Sequence, residues 1–250
     1  MSDKQAVTLT PGYLLHARPF RDSSVIGEFF TEEYGRQALV ARGARRPKSK
    51  LKGQLRPFQR CLISWVSRGS LGTLTALEAD AGRISKVPRR VLSAYYVNEL
   101  VMRALRPGDS QADVFERYER FLNELDSSNE AVVLRLFERD LLTFLGYGLQ
   151  LTHMQDGNPV LADNHYHFDF TEGPSLTSES SLTFPGSSLI ALADGQLTTA
   201  ASLSHSKRLL RAALERHLGA TGSKVRQVLV SMETRRKEWR QNASASEDKS

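Results

Sequence analysis

Apolar residues in the first 80 positions come in short runs, several of which alternate with polar residues, as is typical of β-strands. Turn-forming residues such as Pro19, Asp22 and Gly35 separate these runs. Five short strands at roughly ten-residue spacing predict a small closed β-barrel of the OB-fold type, a fold that often binds single strands. The predicted strands are Tyr13–His16, Ser24–Phe30, Gln37–Ala41, Cys61–Val66 and Gly72–Leu77.

After Pro88 the apolar residues recur every three to four positions, which predicts amphipathic helices joined by short links. The first three predicted helices are Arg89–Leu105, a second that begins at Ser110 or Asp113, and Glu130–Leu145 with Ser128 as its cap. The apolar stripe of the first includes Tyr95. Helical spacing returns at Ser187–Asp194 and Leu203–Leu218, with a continuation at Val225–Met232.

Two segments lack either pattern. Residues 152–188 are polar and rich in turn formers, so we interpret them as a loop insertion with a small hairpin. The final residues, ending QNASASEDKS, have the composition of a disordered tail, predicted at 239–250. The sequence therefore predicts an α+β protein: an OB-fold domain at 1–80 and a mostly helical domain at 81–238 that carries the insertion.

Composition narrows the classes of protein that this chain can represent. Its 250 residues are 40% hydrophobic and 25% charged, which is typical of a globular protein. No apolar run is long enough for a transmembrane helix and the N-terminus has no signal-peptide core, so we expect a cytoplasmic protein without a membrane partner. Because Cys61 is the single cysteine, a disulfide within the chain and a cysteine-based zinc site are excluded.

Charge is distributed unevenly along the chain, whose net charge is +6. No acidic residue lies between Glu33 and Glu78, whereas ten lysines and arginines do, and this asymmetry indicates a surface for a polyanion. The central part of this interval, Gly43–Phe58, has the sequence GARRPKSKLKGQLRPF. A nucleotide-binding P-loop needs a glycine before its lysine, but Pro47 stands before Lys48, so we expect a nucleic-acid backbone as the ligand.

The predicted DNA-binding residues are the cations clustered in this segment, because phosphate contacts carry little sequence information. They are Arg42, Arg45, Arg46, Lys48, Lys50, Lys52 and Arg56. Aromatic side chains can add stacking platforms for bases, although in so small a barrel each is more often a core residue. The available aromatics are Phe20, Phe29, Phe30, Tyr34, Phe58 and Trp65.

Several segments, in this order, resemble the RecO family of bacterial recombination mediators. They are SSVIGEFFTEEYGRQALVARGARRPKSKLKGQLRPF, AYYVNEL, FERDLLTFLGYG, KRLLRAALERHLG and SKVRQVL. The resemblance implies an OB-fold followed by a helical domain, binding of single- and double-stranded DNA, and annealing of complementary strands. It also implies RecR as a partner, indirect action on RecA, contact with the acidic C-terminal tail of single-strand-binding protein (SSB), a nucleoid-associated location, and no enzymatic turnover or cofactor.

The resemblance implies that the SSB tail binds the helical domain, where an acidic peptide would require cations beside an apolar pocket. The candidates are Arg135, which the resemblance favours, Arg139, Lys207, Arg208 and Arg211. For the last three, additional contacts to DNA stay open as an alternative. Some family members carry a four-cysteine zinc module near 152–188, but this chain has no cysteine there. Its histidines, His153, His165 and His167, are expected to be exposed side chains, and we predict no metal site.

Features typical of other functions are few in this sequence. Ser49-x-x-Lys52 and Ser204-x-x-Lys207 match the spacing of a serine–lysine nucleophile, but neither is accompanied by a second catalytic motif, so we predict no catalytic residue. A sequence-tolerant RNA-binding module stays open as an alternative, since a basic OB surface does not separate RNA from DNA. An interaction adaptor that acts through its helical domain is a third possibility.

Overall fold

A computed structural model of the chain describes residues 5–79, 88–176 and 182–219. The predicted helical continuation at Val225–Met232 and the predicted disordered tail at 239–250 lie outside these residues. The predicted domain boundary at 80/81 also falls outside them, and the domain division stays a prediction.

Five strands form a closed barrel in the order β1-β2-β3-β5-β4. They are β1 (Gln5–Phe20), β2 (Ser24–Thr31), β3 (Gly35–Ala41), β4 (Arg60–Ser67) and β5 (Leu71–Ala79). All neighbours pair antiparallel except β3 and β5, which pair parallel. This five-stranded architecture confirms the predicted OB-fold. β1 is much longer than the predicted four residues because it continues around the barrel, pairing first with β4 and then with β2.

The barrel has an apolar interior and a second apolar face that packs against the helices. Phe29 and Phe30 are both fully buried although they point to opposite faces of β2. Phe29 belongs to the barrel interior together with Trp65. Phe30 and Tyr13 belong to the core that they share with the helices.

Within the described part of the chain, five helices follow the barrel: α1 (Pro88–Ala104), α2 (Ala112–Ser127), α3 (Glu130–Phe144), α4 (Gly186–Ala193) and α5 (Ala200–Leu218). Their bounds agree with the predicted helices to within a few residues. The predicted cap of α3 was wrong: Asn129, not Ser128, is the N-cap, and its side chain accepts a hydrogen bond from the backbone N–H of Ala131. Among the described residues, no helix has both the length and the apolar character needed to cross a membrane.

A small antiparallel sheet lies within the predicted loop insertion. Its strands are β6 (His165–Asp169), β7 (Gly173–Ser175) and β8 (Thr183–Pro185), in the order β7-β6-β8. The predicted hairpin corresponds to β6–β7, but β8 was not expected. The sheet forms because Tyr166, Phe168 and Phe184 are buried in the helical core, which gives this polar segment an apolar anchor.

The barrel is fixed to the helices by a polar contact inside their shared core. The side-chain amide of Asn98 on α1 donates to the carbonyl oxygen of Leu15 on β1, at 2.8 Å. The same amide accepts from the hydroxyl of Tyr118 on α2, at 2.6 Å. All three residues are buried, so the bonds hold the barrel in one position on the helices.

Candidate nucleic-acid interface

The segment between β3 and β4, residues 42–59, is here called the basic loop. Hydrogen-bonded turns shape it: Arg46 N–H donates to Gly43 O at 3.1 Å, and Ser49 N–H donates to Arg46 O at 3.1 Å. A one-turn 3₁₀ helix follows at Lys50–Gly53. Gly43 has a φ of +68°, a conformation that glycine adopts without strain. The position of this loop between the third and fourth strands agrees with the sequence prediction.

Apolar side chains attach the basic loop to the end of the barrel. Ala44 is buried in the barrel interior, and Leu51 and Leu55 pack against it. These three residues therefore pack the loop on the barrel, while the six cations with described side chains are exposed.

The described cations of the basic loop are exposed and are not neutralised by described carboxylates. None of the six with a described side chain forms an ion pair with another described residue; these are Arg42, Arg45, Arg46, Lys48, Lys50 and Arg56. The seventh predicted residue, Lys52, lies in the 3₁₀ helix. Just beyond the loop the situation differs, because Arg60 pairs with Glu119 at 2.8 Å. The structure thus groups the predicted DNA-binding residues on one segment with uncompensated positive charge.

The β1–β2 hairpin adds cations that the sequence analysis missed. Arg45 donates through its backbone N–H to Ser23 O at 2.8 Å, and through its guanidinium to Arg21 O at 3.4 Å. These bonds place the exposed side chain of Arg21 beside the basic loop. Arg18 is exposed on the same hairpin. The sequence signal was weak because these residues lie more than 20 positions from the loop and have Asp22 among them.

Most of the candidate stacking aromatics are core residues. Phe29, Phe30 and Trp65 are fully buried and Phe58 is nearly so. Tyr34 is half-buried and contacts Trp65 edge-on, with 5.2 Å between ring centroids.

Two aromatics remain accessible next to the basic loop. Phe20 is half-buried at the hairpin, and the guanidinium of Arg21 lies over its ring, 5.2 Å from the centroid. Tyr95, which the helical pattern assigned to the apolar stripe of α1, is 38% exposed. Its ring meets Phe58 edge-on at 4.8 Å, so it stands where the basic loop returns to β4.

A cavity of about 360 Å³ opens between the β1–β2 hairpin and the basic loop. Ala17 and Val25 line it from the hairpin, and Ala44, Arg45 and Leu55 line it from the loop. Four of these five side chains are apolar, and Arg45 supplies the charge.

Arg135 and Arg139, two of the candidate contacts for the SSB tail, already have partners within the chain. Arg135 is only 9% exposed and pairs with buried Glu138 at 2.7 Å. Arg139 pairs with Asp140 at 2.7 Å and donates to the carbonyl oxygens of Leu192 and Ala193, at 2.9 and 3.0 Å, at the end of α4. Arg135 thus pairs within α3, whereas Arg139 connects α3 to the end of α4, and the two do not form one exposed basic face.

The three candidates on α5 are exposed. Arg211 pairs with Glu215 at 2.9 Å. Arg208 donates to Thr183 O and lies over the ring of Phe184, 4.4 Å from its centroid. Lys207 forms no hydrogen bond or ion pair with another described residue.

The three histidines of the predicted insertion differ in exposure. His153 and His165 are exposed and His167 is half-buried. No group of three or more potential ligands is positioned for a metal within the described ranges 5–79, 88–176 and 182–219.

Comparison with known proteins agrees with this architecture. The family model described as "Recombination protein O N terminal" matches residues 5–82, and "Recombination protein O C terminal" matches residues 86–227. The chain is 41% identical over 232 residues to a "DNA repair protein RecO" of Nitrosococcus oceani, covering 90% of this chain and 94% of that protein. Proteins with the same description from Aromatoleum aromaticum and Vibrio cholerae are 36% and 38% identical, over 93% and 86% of this chain and 99% and 91% of their own.

Proposed function

This chain belongs to the RecO family of DNA repair proteins, and we propose that it is a recombination mediator that binds single- and double-stranded DNA and anneals complementary strands. With RecR as its partner, it would help RecA to load onto single strands covered by SSB. We propose that it acts by binding, without turning over a covalent bond, in the cytoplasm at the nucleoid.

The observation that carries this proposal is the uncompensated charge of the basic loop. Six exposed cations stand on a segment of fewer than twenty residues, and no described carboxylate pairs with them. A protein that anneals DNA must hold two polyanions without reading their sequence. Lysine and arginine suit this task because each phosphate contact releases condensed counterions whatever the neighbouring base.

Contacts that are independent of sequence also explain how one surface accommodates both substrate and product of annealing. Phosphate groups recur along single and double strands alike, so the same cations bind the separate strands and the duplex. The positive field of the loop lowers the repulsion between two approaching strands. The chemistry of pairing is then left to the bases themselves.

For the acidic tail of SSB, we propose Lys207, Arg208 and Arg211 on α5 as contacts. Their exposure and the apolar ring of Phe184 beside Arg208 favour an acidic segment that ends in an apolar residue. Arg135 and Arg139 are already paired with Glu138 and Asp140. They would contact the peptide only if they gave up these ion pairs.

Annealing of complementary single-stranded DNA, bare and coated with SSB, tests the proposal. In a variant with Arg45→Glu and Lys48→Glu, we expect annealing to fall at least about tenfold, because two contacts are lost and two repulsions are added. The matched control is Arg106→Glu with Arg120→Glu, which makes the same change in net charge at two exposed positions of the helical part.

Three results would contradict the proposal. Absence of annealing by the wild-type protein would remove the mediator function. An equal loss in both double variants would show that net charge matters and that the basic loop does not. Tighter binding of RNA than of DNA of equal length would favour the alternative of an RNA-binding module.

A further inference from the structure

The cavity beside the basic loop lies at the open mouth of the barrel. Leu14 pairs with Phe29 in the barrel interior, and the register shift between Leu14 and His16 then aligns Ala17 with Gly27. Residues two apart in a strand share a face, so Val25, Gly27 and Phe29 point to the same side. The bulge therefore turns Ala17 toward the interior side of the barrel, where an unshifted strand would have turned it away.

Small residues keep this mouth open. Ala17 faces Gly27, and Val25 faces Ala41, so the wall of the barrel has little side-chain volume here. Gly27 also makes room for the ring of Phe29, which closes the barrel interior below the mouth, since a Cβ atom there would lie 2.6 Å from that ring. Ala44 continues the series in the loop that covers the mouth. Barrel mouths are frequent ligand sites, and about 360 Å³ is at the lower end of the usual range of about 300–1,000 Å³.

The lining decides which chemical group fits. A phosphate group alone suits only Arg45, because the side chains of Ala17, Val25, Ala44 and Leu55 offer it no hydrogen bond and desolvation of its charge is costly. The face of a ring suits this apolar lining, to which Ala17 and Val25 contribute from the hairpin and Ala44 and Leu55 from the loop. Arg45 at the rim suits a ring that is attached to an anion, because its planar guanidinium both stacks on rings and binds phosphate.

We propose that this cavity receives one nucleobase turned out of a DNA strand whose phosphates lie on the basic loop. The inference rests on the proposed function, because the cations of the loop supply the strand. An acidic peptide with an apolar side chain also combines negative charge with an apolar group. The run of exposed cations along the loop matches the regularly spaced phosphates of a strand better than it matches such a peptide. A base held in this way is unstacked, and its strand is kept from folding on itself.

The test compares the affinity of the full-length protein for an oligothymidylate and for an abasic strand of equal length and charge. Wild type is expected to bind the strand that carries bases about 5- to 100-fold more tightly, the effect of one base contact. Ala17→Leu fills the cavity from an exposed position and is expected to abolish most of this preference. The matched control is Ala6→Leu, the same change at an exposed position near the start of the same strand.

The outcomes separate the cavity from the proposed function. Equal affinity of wild type for both strands would overturn the base site and leave phosphate binding intact. A preference that survives Ala17→Leu would also overturn it and would place the base contact elsewhere. Wild type could instead bind an acidic peptide that ends in phenylalanine and show no preference for strands with bases. If Ala17→Leu then abolished peptide binding, the cavity would be assigned to a protein partner. Failure to bind either strand would remove both proposals.

Discussion

Burial in the barrel affects the pKa of the Cys61 thiol more strongly than the neighbouring positive charge of Arg60 does. The Sγ of Cys61 donates to the carbonyl oxygen of Gly12 at 3.2 Å. Burial raises the pKa of the Cys61 thiol to about 12, and the positive charge of Arg60 lowers it only in part. The thiol is therefore protonated at neutral pH, and the charge of the neighbouring arginine does not make it a nucleophile.

Stability is expected to depend on this thiol at alkaline pH. The unfolded chain releases the thiol proton near pH 9, whereas the folded chain keeps it to about pH 12. The unfolded state then binds fewer protons, so the contribution of Cys61 to the free energy of unfolding falls by about 1.4 kcal/mol per pH unit above pH 9. Urea unfolding of wild type and Cys61→Ala between pH 8 and pH 10.5 measures the difference. A difference that stays constant with pH would contradict this assignment.

At the scale of residues, the sequence predicted which segment is basic and exposed better than it predicted which way individual side chains point. The exposed cations of the basic loop stand where their spacing placed them, since charged side chains avoid burial without a partner. The sequence did not decide which of Phe29 and Phe30 is buried. Both are, because one face of β2 packs in the barrel interior and the other packs against the helices, and the second contact is not visible in the pattern of a single strand. Arg135 was missed as a buried residue because its partner Glu138 and the packing around them are tertiary features.

At the scale of elements, the turn between β2 and β3 fixes the barrel to the link between α1 and α2. Gly35 has a φ of +58°, and a Cβ atom there would lie 1.9 Å from the carbonyl oxygen of Asp109. Gly108 N–H donates to Arg36 O at 2.8 Å, and Ser110 Oγ donates to Glu32 O at 3.0 Å. Only glycine allows the two backbones to approach this closely.

Gly35→Ala is therefore expected to lower the free energy of unfolding by roughly 2–4 kcal/mol, because it combines a strained φ with a backbone clash. The matched control is Gly69→Ala. Gly69 also has a positive φ, +96°, but nothing lies within 4 Å of an added Cβ. The control should cost only about 1 kcal/mol. Equal losses for the two variants in urea unfolding would show that the contact with Asp109 does not fix the barrel.

Elements with strong local signals were predicted, and those that depend on distant packing were not. Five strands and five helices appear at or near their predicted positions, since alternation and helical spacing are local properties. The small sheet β6-β7-β8 was missed as a sheet because β7 and β8 have three residues each and pair with β6, whose Tyr166 and Phe168 are anchored in the helical core. Tyr95 was assigned to the helical stripe, but it lies at the edge of that stripe beside Phe58.

At the scale of the whole molecule, folding brings two positive segments together. The basic loop and the β1–β2 hairpin are separate in sequence, and the bonds from Arg45 to Ser23 and Arg21 join them. The sequence alone predicted the polyanion surface from its lack of acidic residues. The sequence did not predict the register of the barrel strands. This register places the β1–β2 hairpin and the cavity beside it next to the basic loop.

The measurement that tests the central claim most directly is the salt dependence of single-strand affinity. With about six phosphate contacts, the slope of log K against log salt should be about −4 for wild type. Lys48→Ala with Arg56→Ala should reduce it to about −3, because each lost contact removes about 0.7. Arg106→Ala with Arg120→Ala, at exposed positions outside the loop, should leave it at about −4. A wild-type slope that the loop variant does not change would contradict the claim that the basic loop holds the DNA.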